Sequence, residues 1–194
     1  MTSRDQQSGD QPCRDQRSVD QQCMELVARG DLDAFGELVR RHQKTAWRVA
    51  FGILGDEAEA EDAAQQAFLK ILEAADRYQP TASFRTYLYR VVTRHCLDRL
   101  AKMSPLYTDD PPIISDQRRS PARHVERREA RDEVHRALEK LPARQRAAVS
   151  LFHFEGLSYK EIAASMDVSS KAVERLLARG RKALELELTE FVNS

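Results

Sequence analysis

The stretch from Leu157 to Leu188 constrains the chain most. It reads LSYKEIAASMDVSSKAVERLLARGRKALELEL, two helical patterns joined by a very short turn. Ser158 followed by Glu161 makes a capping box, in which the serine oxygen takes one free amide and the glutamate reaches back to another. Ile162, Ala163 and Met166 then give one apolar side of a short helix. Asp167 stands where the chain must reverse, and Asp is among the few non-glycine residues that tolerate a left-handed backbone. Val168 plugs the corner. Ser169 or Ser170 caps a longer helix whose inner side is Val173, Leu176, Leu177, Gly180 and Leu184. Its outer side carries Lys171, Glu174, Arg175 and Arg179. This is the helix-turn-helix pattern that lays its second helix in a DNA major groove. A plain helical hairpin with a solvated cationic face satisfies the same pattern. Small Ala163 at the helix crossing, the short turn and the cations at 171, 175 and 179 favour DNA.

The remaining chain also reads as helical. Of its 194 residues 32% are charged and 7% aromatic, with 7 glycines and 7 prolines. That composition suits helices better than sheets and allows one or two small domains, so an all-α fold of two helical domains is expected. The formal net charge is zero, so any nucleic-acid footprint must be local. No apolar run approaches the ~20 residues needed to span a bilayer, and the first residues lack an apolar signal core; a cytoplasmic protein is expected. Cys13, Cys23 and Cys96 form no CxxC pair, which argues for reduced thiols over a disulfide framework or a zinc site.

Residues 1–22 are Gln, Asp, Ser and Arg with almost nothing apolar, and are expected to be disordered. Phe35, Leu38, Val39, His42, Ala46, Val49, Ala50 and Ile53 then follow the spacing of an amphipathic helix that ends at Gly55-Asp56. A second helix is expected from about Ala58 to Ala75, with Ala60, Ala64, Ala67, Phe68, Ile71, Leu72 and Ala75 on one side. Asp56, Glu57, Glu59, Glu61 and Asp62 open it. Acids there favour the helix N-terminus, but five acids in seven positions also make a concentrated anionic patch. A polar loop from Asp76 to Ser83 follows, and Ser83 caps a third helix starting at Phe84. Phe84, Leu88, Val91, Val92 and His95 are its buried stripe; Arg85, Arg90, Arg94, Arg99 and Lys102 are its cations. Next to Tyr78 and Phe84, such a basic helix offers the stacking groups that single-stranded nucleic acid uses.

Pro105, Pro111, Pro112 and Pro121 forbid regular helix across much of residues 103–128, which read as a linker. Helices resume from Glu129: Val134, Ala137, Leu138 and Leu141 share a face, Pro142 opens a helix at its N1 position, and Ala147, Ala148, Leu151 and Phe152 face inward. The second domain thus has four helices, with the DNA-reading pair last.

These residues together resemble a bacterial RNA polymerase sigma factor of the extracytoplasmic-function (ECF) group, the minimal type with regions 2 and 4 only. Gly30-Asp31 through Ala34-Phe35, with Leu38-Val39 and His42, looks like region 2.1. Asp56 through Lys70 looks like region 2.2, Phe84 through Asp98 like regions 2.3 and 2.4, and Leu141-Pro142-Ala143-Arg144-Gln145-Arg146 with the helix-turn-helix like region 4. The resemblance covers about Met24 to Leu188. It implies region 2 at 23–102 and region 4 at 129–194, a protein that is not an enzyme, and no cofactor or metal. It further implies docking on the β′ clamp helices of core RNA polymerase through Asp56, Glu59, Glu61, Asp62, Gln65 and Phe68, with region 4 at the β flap. Promoter −10 melting would use Tyr78, Arg85, Tyr87, Arg90, Arg94 and Arg99. Reading of −35 duplex would use Ser170, Lys171, Glu174, Arg175 and Arg179, with Glu174 able to accept from a cytosine amino group. The family is usually held inactive by an anti-sigma factor. Three positions depart from its pattern: Trp is usual where Tyr87 stands, Asn where Arg94 stands and Gly where Asp167 stands. Arg94 could instead pair with Asp98 one turn on.

Two other readings compete. One is a stand-alone helix-turn-helix regulator with a sensing N-terminal half. The other is a helical enzyme or metal sensor using His42, His95, Cys96 or His153, against which no nucleophile–base pair or ligand spacing is visible.

Overall fold

The structure, a computed structural model, describes residues 11–103 and 134–192, and all regular structure among them is helical. The elements are α1 (Gln11–Val27), α2 (Leu32–Leu54), α3 (Glu57–Glu73), a 3₁₀ turn (Ala75–Arg77), α4 (Phe84–Met103), α5 (described over 134–139), α6 (Ala143–His153), α7 (Tyr159–Met166) and α8 (Ser170–Val192). They fall into two groups, α1–α4 and α5–α8. The linker expected between them lies almost wholly outside the described residues.

Local chemistry sets the helix ends. Asp31 caps α2 by accepting from the Ala34 amide at 3.0 Å. Gly55, at φ 83°, stops the same helix in the left-handed region and returns its N–H to the Phe51 carbonyl. Asp56 caps α3 by accepting from the Glu59 amide at 2.8 Å. Ser83 caps α4, its Oγ accepting from the Thr86 amide at 3.2 Å. Pro142 falls one position earlier than expected: it is the N-cap of α6, with an extended ψ of 140°, and the helix begins at Ala143.

The α2 stripe is buried at Ala34, Leu38, His42, Ala46, Val49, Ala50 and Ile53. Each large aliphatic side chain removed from water there contributes about 1.5–3 kcal/mol. The inner side of α3 is mostly alanine (Ala60, Ala63, Ala64, Ala67), which lets its backbone lie close against α2 and α4. Phe84, Leu88, Val92 and Cys96 of α4 close this core.

The expectation of disorder through residue 22 is corrected for residues 11–22, which are helical. Composition alone missed the anchor. Cys23, Met24 and Val27 are buried, and the buried Asp20 carboxylate lies 3.2 Å from Arg41 Nε and 3.0 Å from His42 Nε2, within ion-pair distance but without hydrogen-bond geometry. Tertiary docking, rather than intrinsic propensity, holds such a polar helix. Residues 1–10 lie outside the described residues.

In the second group, α8 crosses α6 at Gly180, where a Cβ would stand 2.7 Å from Val149 Cγ2. The two groups pack on each other. Ser150 Oγ donates to the Gly52 carbonyl at 2.7 Å, the Phe51 and His135 rings stack 4.3 Å apart, and α7 lies along α4. The buried residues form one continuous core across both groups.

Candidate nucleic-acid interface

The helix-turn-helix is built as its spacing implies. Ser158 Oγ accepts from the Glu161 amide, and Glu161 Oε2 accepts from the Ser158 amide at 2.9 Å. Asp167 adopts φ 55° and ψ 49°, and the next amide, of Val168, returns to the Ala163 carbonyl at 3.0 Å. The backbone that usually calls for glycine is therefore kept with aspartate. Ser169, not Ser170, caps α8, its Oγ accepting from the Ala172 amide. Val173 and Leu177 are buried beneath, so Ser170, Lys171, Glu174, Arg175 and Arg179 are turned outward and exposed. No ion pair or hydrogen bond engages Lys171, Glu174, Arg175 or Arg179 among the described residues. Cations at i, i+4 and i+8 on one face leave three charges in a row free for a ligand.

The expected −10 residues divide. Tyr78 and Tyr87 come together at the 76–83 loop, ring centroids 5.1 Å apart at 55°. Burial raises the pKa of both phenols, so both rings stay neutral. Arg90 and Arg94 are exposed on α4 and have no ion-pair partner among the described residues; the Arg94–Asp98 pair does not form. Both line a cavity of about 200 Å³ with Asp98, Arg144 and, across it, Ser165, Met166 and Asp167 of the helix-turn-helix. Arg85 donates to the Tyr89 hydroxyl at 2.7 Å and lies 3.7 Å from Glu155. Arg99 turns the other way, donating to Asp62 at 2.5 Å and pairing with Glu59. The Asp62 hydrogen bond is the largest of the effects that raise its pKa, so it is a fixed cation bracing α3 on α4.

The expected polymerase-facing patch divides as well. Glu61 and Gln65 are exposed, while Asp56 is a cap and Glu59 and Asp62 hold Arg99. Phe68 is only 6% exposed and meets Phe35 edge-on at 6.4 Å. It is a core residue and not available for docking, a correction that follows from its place on the alanine side of α3. The next residue, Leu69, is 47% exposed instead.

The described histidines and cysteines form no centre. Among the described residues no three His, Cys, Asp or Glu side chains are placed to share a metal ion. Burial pushes the Cys96 thiol up to about 12 and raises Cys23, which leaves both protonated and unreactive. Cys13 lies outside the residues whose side chains are described. His95 Nδ1 is 2.7 Å from Lys70 Nζ, and burial followed by the Lys70 charge lowers its pKa, so the ring accepts from the ammonium as a neutral base.

Sequence reasoning did not single out Arg48 and Glu155. Arg48 donates through Nε and Nη2 to the two carboxylate oxygens of Glu155 at 2.9 and 3.0 Å, across 107 positions of sequence. No local pattern signals a pair so far apart. Nor is any described helix long and apolar enough to cross a membrane.

Residues 38–104 match the family model for Sigma-70 region 2, and residues 131–184 match that for Sigma-70, region 4. The chain is 33% identical over 168 residues to the ECF RNA polymerase sigma factor SigE of Mycolicibacterium smegmatis, covering 81% of this chain and 63% of that one. It is 32% identical over 176 residues to the RNA polymerase sigma-H factor of Pseudomonas aeruginosa, covering 85% and 91%. Its fold is similar to that in a solved structure of CnrH in complex with the cytosolic domain of CnrY, with a TM-score of 0.63 and 28% identity over 89% of this chain and 98% of that one. With both conserved-region matches in order along an all-helical chain, the protein belongs to the ECF RNA polymerase sigma factors, an alternative sigma factor with regions 2 and 4 that directs transcription initiation.

Proposed function

We propose that this sigma factor docks on core RNA polymerase through the α3 edge and gives it promoter specificity through two separate DNA faces. Glu61 and Gln65 are the free polar groups of the docking edge, with Asp56, Glu59 and Asp62 adding negative potential around them toward the β′ clamp helices. Region 4 would rest at the β flap. Tyr78 and Tyr87 form the stacking rim that holds a base out of the melted −10 strand, a step that costs a few kcal/mol of unstacking. Arg90 and Arg94 track that strand's backbone. Ser170, Lys171, Glu174, Arg175 and Arg179 face the −35 duplex from α8. The row of exposed, unpaired polar side chains on α8, set on a fully formed helix-turn-helix, is the observation that carries this reading. The proposal assigns the chain no bond-making chemistry and no cofactor, and places it in the cytoplasm with polymerase and chromosome.

An anti-sigma partner is proposed as well. What supports it is the likeness to CnrH, whose solved structure is a complex with the cytosolic domain of CnrY. The test is reconstitution. The chain mixed with core polymerase and a promoter library should yield discrete transcript starts that neither gives alone. Tight, sequence-specific promoter binding by the chain alone, with no transcripts on adding core, would favour the stand-alone regulator.

A further inference from the structure

Glu155 lies in the loop between α6 and α7, yet its side chain is only 2% exposed. The side chains that bond its carboxylate come from the other helical group. Arg48 of α2 grips both carboxylate oxygens with a planar fork, at 2.9 and 3.0 Å. The Tyr89 hydroxyl of α4 donates to Oε2 at 2.9 Å, and Arg85 Nη2 stands 3.7 Å away. Arg85 in turn donates to the Tyr89 hydroxyl and lies over its ring at 5.3 Å, so these two of the three donors are held together without Glu155. Arg48 and Arg85 remain half exposed, at 50% and 53%. Two guanidinium groups and a hydroxyl that converge on one anion are a built site.

Distance shows that this arrangement cannot be the promoter-bound one. Promoter −10 and −35 elements are separated by ~25 base pairs, or ~85 Å at ~3.4 Å per base pair. Here Arg94 of the −10 face and Asp167 of the helix-turn-helix line a single cavity. Ser170, where α8 starts, is three residues further on, within ~11 Å of chain. The two groups must part before both elements can be read. Parting withdraws Glu155 and leaves two cations and a hydroxyl open on the same side of α4 that supplies Arg85. A backbone phosphate diester carries one negative charge and two free oxygens, as the carboxylate does, so the exchange conserves charge.

We propose that Arg48, Arg85 and the Tyr89 hydroxyl form an anion-binding site that Glu155 fills to hold the protein closed, and that a single-strand DNA phosphate takes its place when the groups separate. The phosphate half of the proposal rests on the reading of α4 as the −10 face.

The test uses the full chain with a fluorescent oligothymidine, followed by anisotropy and small-angle scattering. Glu155→Gln should expand the particle and raise oligonucleotide affinity at least fivefold. Arg48→Gln should expand it with no gain in affinity. Wild-type protein should expand as it takes up oligonucleotide, a measurement that needs no variant. A compact Glu155→Gln protein, expansion without an affinity gain, an equal gain in Arg48→Gln, or a wild-type complex that stays compact would each overturn the proposal. Permanganate reactivity of promoter DNA with reconstituted holoenzyme separates the two readings. If Arg90→Ala with Arg94→Ala abolishes opening while Glu155→Gln stays compact, the −10 face stands and the latch falls. If opening survives that double change while Glu155→Gln expands, the −10 face falls and the closing contact stands without its phosphate.

Discussion

Helices α4 and α8 both carry a row of cations, and the structure treats them differently. On α8, Lys171, Arg175 and Arg179 are exposed and have no ion-pair partner among the described residues. On α4, Arg99 is taken by Glu59 and Asp62 and Arg85 by Tyr89 and Glu155, while Arg90, Arg94 and Lys102 have no ion-pair or hydrogen-bond partner among the described residues. The reason lies in how many neighbours each helix has. Among the described elements α8 packs only on α6 and α7 through its inner face, whereas α4 is packed by α2, α3 and α7. A basic residue in a crowded setting finds a carboxylate; one on an outer face does not. The proposed −35 face is therefore open as it stands, while much of the proposed −10 face is engaged within the chain.

Four outcomes would break or sharpen this contrast. Leu177→Ala removes the buried anchor beneath the α8 cations and should cost about 2–5 kcal/mol, read by urea unfolding; a smaller loss would mean α8 is not held by its inner face. Arg175→Ala should leave stability unchanged but weaken use of −35-containing promoters by ~1–3 kcal/mol. Equal loss on templates lacking a −35 element would show a different role. Arg99→Ala should instead lower stability by ~0.2–1 kcal/mol, as partly exposed ion pairs do, with promoter opening by holoenzyme unaffected. A selective loss of opening at unchanged stability would return Arg99 to the DNA face. The smallest effect concerns His95. Its folded-state pKa is lowered, so the folded protein binds fewer protons than the unfolded chain. Its contribution is complete above the ordinary histidine value near 6.5 and falls as pH drops below it. The melting temperature should decline modestly from pH 7 to 5.5, and His95→Gln should flatten that decline.

Charge reversal is affected by the same contrast. Reversing Asp56, Glu59 and Asp62 looks from sequence like a pure docking test that spares the fold. The structure makes Asp56 a helix cap and the other two the partners of Arg99. Glu61→Lys, on an exposed residue, is the cleaner change: affinity for core polymerase should fall severalfold in a salt-controlled pull-down, with the unfolding curve unmoved.

Much of the fold was legible in sequence because its signals are local. The capping box at Ser158 and Glu161, Ser83 as a cap, and the inner stripe of α8 all act within a few residues of themselves. So does Asp167, whose left-handed backbone was readable from its place in the turn. The candidate −35 row was legible for the same reason: burying Val173 and Leu177 dictates which side chains face out. The −10 and polymerase rows were legible as residue types but not as availability. Phe68 and Arg99 show this, since each lies in a helix of the expected kind and spends its side chain inside the protein. The helix at Gln11–Val27 was hidden too, because a Gln- and Asp-rich segment gains its order from tertiary docking, Asp20 beside Arg41 and His42 and the burial of Cys23, Met24 and Val27.

The sequence by itself determined that this chain is a set of amphipathic helices ending in a helix-turn-helix, with the spacing of a two-region sigma factor. Periodicity and capping fix those features, and both are short-range. Only the tertiary structure decided which charges are spent and which are free, and that Glu155 lies buried in a site made by Arg48, Arg85 and Tyr89. Such pairings link residues up to 107 positions apart. Their energy depends on desolvation and on the geometry of docked helices, neither of which leaves a mark in local spacing.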